Sequence, residues 1–157
     1  MDSCGRKWGM QMFMGEYHHN IDDKGRIVLP GKFRNENMNK IVVTRGLEQC
    51  LYLYTLEEWE KVVSKLNKLP FTKKDARTFM RSFFAGASVC EFDRNGRINI
   101  TSPLVGYAGL TKECVIIGVN DRIEIWDEKL YNDFMNDNAS KMEEIAENLF
   151  EVTNETL

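Results

Sequence analysis

Apolar positions along this chain follow two periods. Runs such as Ile41 to Thr44, Leu51 to Tyr54, Val115 to Gly118 and Ile123 to Trp126 are β-branched or aromatic and bounded by turn residues, which predicts short strands. Elsewhere the apolar residues recur every three to four positions. Thr55 with Glu58 three residues on makes a capping box, and Leu56, Trp59, Val62, Val63 and Leu66 form one stripe behind it. The stretch from Thr72 to Ala85 sets Ala76, Phe79, Met80, Phe83 and Phe84 on one helical face, with Gly86 to close it. Arg77 and Arg81, four apart, share another face of that helix, open to solvent or to carboxylates at a subunit contact. A third helix is expected to begin near Asp127 with Leu130, Tyr131 and Phe134 inward. The last stretch, around Met142, Ile145, Ala146 and Leu149, permits an amphipathic helix, but Glu143, Glu144 and Glu147 make it very acidic, so it reads as mobile or peripheral.

The pattern repeats once, at a spacing of about 71 residues. Residues 20–30 read NIDDKGRIVLP and residues 91–101 read EFDRNGRINIT, so Asp22, Gly25 and Arg26 return as Asp93, Gly96 and Arg97. Lys24-Gly25 and Asn95-Gly96 each supply a residue that takes positive φ at little cost, a strong turn signal between β-rich runs. Downstream, with one residue inserted in the second copy, Gly46 aligns with Gly118, Leu51 with Ile123, Tyr54 with Trp126 and Trp59 with Tyr131. Each copy then runs strand, tight turn, strand, polar connection, strand, turn, strand, helix. A four-stranded unit of about 50 residues holds little core alone, so the two copies are expected to pair by a pseudo-twofold inside the chain. The fold class is α+β and β-rich.

Composition narrows the function. The 157 residues are 43% apolar and 29% charged with three prolines, which places the chain among globular proteins. No apolar run approaches the roughly 20 residues of a membrane span, and the start MDSCGRKWGM lacks a secretory signal's apolar stretch, so a cytoplasmic protein with no membrane partner is expected. Cys4, Cys50, Cys90 and Cys114 are scattered without a CxxC pair and read as reduced, mostly buried thiols. His18 and His19 point to opposite faces of a strand and share no third ligand. No metal and no cofactor are expected. A nucleophile with its base, a supported carboxylate pair and a phosphate-binding glycine loop are all missing, so no catalytic residues and no small-molecule substrate are assigned.

The net charge of −3 hides a division. From Asp127 onward nine acids face two lysines, a balance of −7, leaving 19 basic against 15 acidic groups and a balance of +4 before it. A mildly basic body permits nucleic-acid binding without requiring it.

The D-x-x-x-R element gives that charge a direction. In a tight loop Asp22 or Asp93 can accept hydrogen bonds from loop amides and from the guanidinium four residues on, which fixes the direction of Arg26 or Arg97. An arginine held this way can present a donor fork to guanine O6 and N7, while Lys24, Lys32 and Arg34 neutralise phosphates. On these five residues alone an ordinary surface ion pair that staples the loop, contributing under about 1 kcal/mol, stays open as the alternative.

MGEYHHNIDDKGRIVLPGKFR, then ARTFMRSFFAGA, then DRNGR followed by YAGLTKECVIIGVNDRIEIWDEKLY, occur in that order and resemble the MraZ family of bacterial transcriptional regulators. The resemblance covers about residues 12–136. It implies two tandem AbrB-like swapped-hairpin repeats, residues 12–71 and 72–136, forming a small pseudo-twofold β-barrel unit with flanking helices. Residues 1–11 are then an N-terminal extension, expected to be disordered, and 137–157 an acidic tail. It further implies a homo-oligomeric ring that binds double-stranded DNA, at short direct repeats in the promoter of the division and cell-wall gene cluster, in the nucleoid. DNA contact maps by the resemblance to Lys24, Gly25 and Arg26 with Asp22 as partner acid, and the second loop to Asp93, Asn95, Gly96 and Arg97. Asn95 stands in place of a Lys, and Val105 where an Arg often follows Leu104, which puts the weight on the first repeat. A ring-forming scaffold that holds a protein on the same β surfaces is the alternative function.

Overall fold

A computed structural model describes residues 12–34 and 38–153; the expected extension, residues 1–11, lies outside them, as does Cys4. The first copy contains β1 (Phe13–Asn20), β2 (Arg26–Val28), a 3-10 turn (Gly31–Phe33), β3 (Lys40–Arg45), β4 (Leu51–Tyr54) and α1 (Leu56–Leu66), and α2 (Lys74–Ala85) leads into the second. The second contains β5 (Ser88–Glu91), β6 (Arg97–Asn99), α3 (Ser102–Ala108), β7 (Glu113–Asn120) and β8 (Arg122–Asp127). Both copies lie in one compact unit that ends at Asp127. The residues from Glu128 form a second unit, made of α4 (Glu128–Ala139) and α5 (Met142–Thr153). Within it, Lys129 pairs with Asp133 one turn on at 3.0 Å.

The two copies exchange strands. Six strands form one antiparallel sheet in the order β1-β7-β8-β4-β3-β5, and β2 pairs with β6 in a separate ribbon. β1 of the first copy thus runs beside β7 of the second, and β5 of the second beside β3 of the first, with His19 opposite Cys114 and Cys90 opposite Ile41. The pseudo-twofold passes between Ile27 and Ile98 in the ribbon and between Tyr52 and Glu124 in the sheet, each pair being direct cross-strand partners. The Gly turns therefore connect strands that pair with the other copy, which is the swapped arrangement.

The barrel is wrapped and not closed. β1 and β5 are the edges of the sheet, and among the described residues no ladder joins them. The reason is local: β2 and β6 have only three residues each after a sharp Gly turn, so they leave the sheet and pair with one another. Between ribbon and sheet lies the core, with Ile27, Leu29, Phe33, Ile98, Ile100 and Leu104 packed on Val43, Leu51, Leu53, Ile116, Ile123 and Ile125.

The outer face of the sheet is also covered. Tyr54 meets Trp59 of α1 at 5.9 Å between ring centroids, and Trp59 stacks on Phe83 of α2 at 5.5 Å. Glu124 is buried on this face, receiving Arg122 Nη2 at 2.8 Å and the Trp126 indole N–H at 2.9 Å, while the Arg122 guanidinium lies 4.6 Å from the Tyr52 ring centroid. A buried carboxylate persists there because both oxygens are satisfied.

Most local expectations hold, with four corrections, the first being that Phe134 of α4, expected inward, is exposed. Thr55 Oγ1 accepts from the Glu58 amide at 3.1 Å, but the Glu58 carboxylate pairs with Lys61. Gly86 ends α2 in a right-handed conformation at φ −80°, without the left-handed turn expected of a closing glycine. Side chains from β3 cap that helix: Thr44 Oγ1 donates to the Phe83 carbonyl at 2.6 Å and Arg45 Nη1 to the Ser82 carbonyl at 3.1 Å. The pairing of Gly46 with Gly118 is off by one. Val43 opposite Leu53 corresponds to Ile116 opposite Ile125, so Gly46 corresponds to Val119, because the β3–β4 connection is one residue longer than the β7–β8 connection. Helix α3 was not anticipated, although Pro103 at its start and Gly109 at its left-handed end are its signals.

Candidate nucleic-acid interface

The two D-x-x-x-R loops have the same geometry, atom for atom. In the first, Asp22 Oδ1 accepts from the amides of Lys24 at 2.9 Å and Arg26 at 2.8 Å, and Oδ2 accepts from Arg26 Nε at 2.7 Å. In the second, Asp93 Oδ1 accepts from the amides of Asn95 at 2.8 Å and Arg97 at 2.9 Å, and Oδ2 from Arg97 Nε at 2.8 Å. The Gly25 amide donates to the Asp22 carbonyl and the Gly96 amide to the Asp93 carbonyl, closing turns that need φ of +82° and +77°. Glycine is required at both positions, since an L side chain is strained there.

These bonds set the electrostatics. The carboxyls of Asp22 and Asp93 are held below their ordinary value of 3.8, first by the amide of the arginine four residues on and then, against some desolvation, by its guanidinium and the intervening amide. Both loops thus keep an ionised acid bound side-on to Nε. Among the described residues Nη1 and Nη2 of Arg26 and Arg97 have no hydrogen-bond partner, so the end of each guanidinium remains a two-donor fork.

The ribbon brings the two forks together. Arg26 pairs with Asn99, Ile27 with Ile98 and Val28 with Arg97. Ile27 and Ile98 are inward and buried, so the alternation of a strand turns Arg26, Val28, Arg97 and Asn99 outward. Arg26 and Arg97 are then diagonal neighbours on one face, roughly 7–8 Å apart.

The remaining residues expected at the site are dispersed around it. Lys24 is exposed at the tip of the first turn. Lys32 is exposed in the 3-10 turn and, among the described residues, makes no ion pair with either loop. Arg34 Nε donates to the Leu29 carbonyl at 3.0 Å, and its guanidinium lies against Gly96 of the other copy's loop. One residue escaped the sequence reasoning. Arg94, exposed, occupies in the second loop the place of Asp23 in the first, so the charge missing at Asn95 returns one position earlier; the offset of 71 that aligned the two loops was sufficient to find it.

Other chemistry is sparse. Among the described residues no group of three or more His, Cys, Asp or Glu is placed to hold a metal ion, and no helix is long and apolar enough to cross a membrane. Cys50, Cys90 and Cys114 are buried, and burial raises the Cys50 and Cys90 thiols above their ordinary range. Arg77 donates to the Phe71 carbonyl at 2.9 Å. A cleft of about 270 Å³ opens beside the first loop, lined by Asp22, Lys24, Gly25, Ile100 and Val105 among others.

Comparison with known proteins agrees with this twofold architecture. The family model described as "MraZ protein, putative antitoxin-like" matches twice, at residues 12–82 and 83–153. A protein of Lactobacillus helveticus (strain DPC 4571) named "Transcriptional regulator MraZ" is 53% identical over 141 residues, covering 90% of this chain and 99% of that relative. Matched across both copies and at this identity over nearly its whole length, the chain belongs to the MraZ family.

Proposed function

We propose that this chain is a non-enzymatic, DNA-binding transcriptional regulator that reads double-stranded DNA with the β2–β6 ribbon. The observation that carries the reading is the pair of Asp-oriented guanidinium forks on one outward face. A B-DNA major groove admits a two-stranded ribbon, and an arginine fork matches guanine O6 and N7. Arg26 and Arg97 are the base readers, Asp22 and Asp93 orient them, Gly25 and Gly96 permit the turns, and Lys24, Lys32 and Arg94 meet phosphates. The printed name of the Lactobacillus relative supports regulation of transcription as the setting.

Assembly follows from charge. Lys24, Arg26, Arg94 and Arg97 face Asp22, Asp23 and Asp93, a net of one positive charge across both loops. A single ribbon is therefore a weak phosphate binder, and a homo-oligomeric ring presenting several ribbons to short direct repeats multiplies weak contacts through effective concentration. The two loops differ at Asp23 against Arg94 and at Lys24 against Asn95, so the ribbon is not truly twofold and can distinguish the direction of a repeat. The promoter of the division and cell-wall gene cluster, within the nucleoid, is the target the family resemblance implies.

The test is selection of DNA from a randomised pool by the purified chain, followed by mobility-shift titration and sedimentation of Arg26→Ala. Specific binding is expected to disappear while the oligomer's mass is unchanged. Full affinity in the variant removes Arg26 as a reader, and recovery of a stoichiometric protein with no enriched DNA replaces the regulator with a scaffold.

A further inference from the structure

The pseudo-twofold that makes the two loops alike fails beside them, and one of the differing pairs reaches a loop. Residues 31–34 correspond to 102–105, with Phe33 and Leu104 both buried, and the residue that follows is Arg34 in one copy and Val105 in the other. Arg34 reaches across to the second copy's loop. Its Nε donates to the Leu29 carbonyl at 3.0 Å, the Leu29 amide donates to the Gly96 carbonyl at 3.2 Å, and the guanidinium covers Gly96 so closely that a Cβ there would sit 2.6 Å from Cζ. On the other side the backbone half of this arrangement is repeated, with the Ile100 amide donating to the Gly25 carbonyl at 2.7 Å. The guanidinium is missing there, and Gly25 is faced by the Ile100 carbonyl and Asn99 Oδ1. Val105 instead borders the cleft of about 270 Å³ beside Asp22, Lys24 and Gly25.

We propose that Arg34 is a positioning residue, a brace that holds the Asp93–Arg97 loop in its reading geometry, and that the Asp22–Arg26 loop lacks this brace because Val105 carries no guanidinium. The second loop is then pre-organised before DNA arrives, and the first orders against DNA. This inverts the weight that the sequence puts on the first repeat: the loop that carries Asn95 in place of a lysine is the rigid one. The inference rests on the DNA-reading proposal for its functional meaning, but the brace itself is a property of the free protein.

The experiment has two arms. In the free protein, amide hydrogen exchange is followed in wild type, Arg34→Lys, Arg34→Ala and Val105→Arg. Removing the planar guanidinium is expected to speed exchange severalfold at Asn95, Gly96 and Arg97 and to leave Lys24, Gly25 and Arg26 unchanged. Val105→Arg is expected to slow exchange at Gly25 and Arg26 by placing a guanidinium in the cleft near the Ile100 carbonyl. In the second arm, DNA that wild type recovers from a randomised pool is titrated at several NaCl concentrations. Arg34→Lys and Arg34→Ala are both expected to lose roughly tenfold in affinity, the scale of one charge-assisted hydrogen bond, with the salt slope of wild type.

A lysine that restores full affinity, or an alanine that lowers the slope by about 0.9 per site, makes Arg34 a phosphate contact and overturns the brace. So does exchange at the second loop that ignores Arg34, or exchange at the first loop that ignores Val105→Arg. Failure of wild type to recover any DNA removes the DNA-reading proposal, and the exchange arm then decides the brace by itself.

Discussion

Ile27 lies directly opposite Ile98 across the β2–β6 ribbon, each 1% exposed, and this contact on the pseudo-twofold holds the two neighbouring arginines on the outer face. Burial of the isoleucines and orientation of the guanidinium groups are one structural fact, because successive side chains of a strand point to opposite sides.

Ile98→Ala is accordingly expected to cost about 2–5 kcal/mol, the range for deleting a buried aliphatic side chain. Ile27→Ala should cost a similar amount. Urea unfolding monitored by circular dichroism checks both, and a loss of a few tenths of a kcal/mol would show that the ribbon does not seal the core.

Arg97→Ala is expected to weaken specific DNA binding by about 1–3 kcal/mol, the worth of one bidentate base contact. Its fold should be unchanged, since the side chain is partly exposed and its one ion pair is local to the loop. Titration of selected DNA against wild type and variant measures this. Undiminished affinity would confine reading to the first loop.

The loops should tolerate mild acid. Asp22 and Asp93 have folded values below 3.8, so the stability they contribute is complete above that value and is lost as pH falls through the lowered folded values. Their contribution to DNA affinity is expected to be constant from pH 8 to about pH 5, more than one unit above the ordinary carboxylate value. Asp22→Asn should weaken binding at every pH in that window, because an amide cannot hold the Arg26 guanidinium by charge. A variant indistinguishable from wild type would end the orienting role of the acid.

Glu124→Ala should be among the most destabilising single changes, on the order of 3 kcal/mol, because it leaves Arg122 and the Trp126 indole without their shared acceptor. Thermal unfolding reads the effect. DNA binding by the surviving folded fraction should be unaltered, since the ribbon lies across the core from that face.

The candidate site was legible because its chemistry is local. Asp22 to Arg26 and Asp93 to Arg97 form closed loops of five residues whose hydrogen bonds all fall within four positions, so residue type and spacing suffice to predict the carboxylate, the glycine and the direction of the arginine. Arg94 was equally local and needed only the offset already in hand. Arg34 was not legible: its partner in space is Gly96, 62 positions away in another strand's turn, and nothing in the run PGKFR announces that its guanidinium crosses the pseudo-twofold.

The same division applies to the fold. Strand and helix locations follow from apolar periods and caps, which act over three or four residues, and the duplication follows from the matching of two short segments. Which strand lies beside which is another matter. β1 could have folded back on β2 as a simple hairpin, and the Gly turn between them suits that outcome. The exchange of β1 and β5 between copies, the departure of β2 and β6 into a ribbon, the one-residue slip at Gly46 and the meeting of two distant arginines on one face depend on burying Ile27, Ile98 and the inner face of the sheet together. That burial is a collective property of residues more than 70 positions apart, and a pattern that repeats every two or four residues carries no information about it.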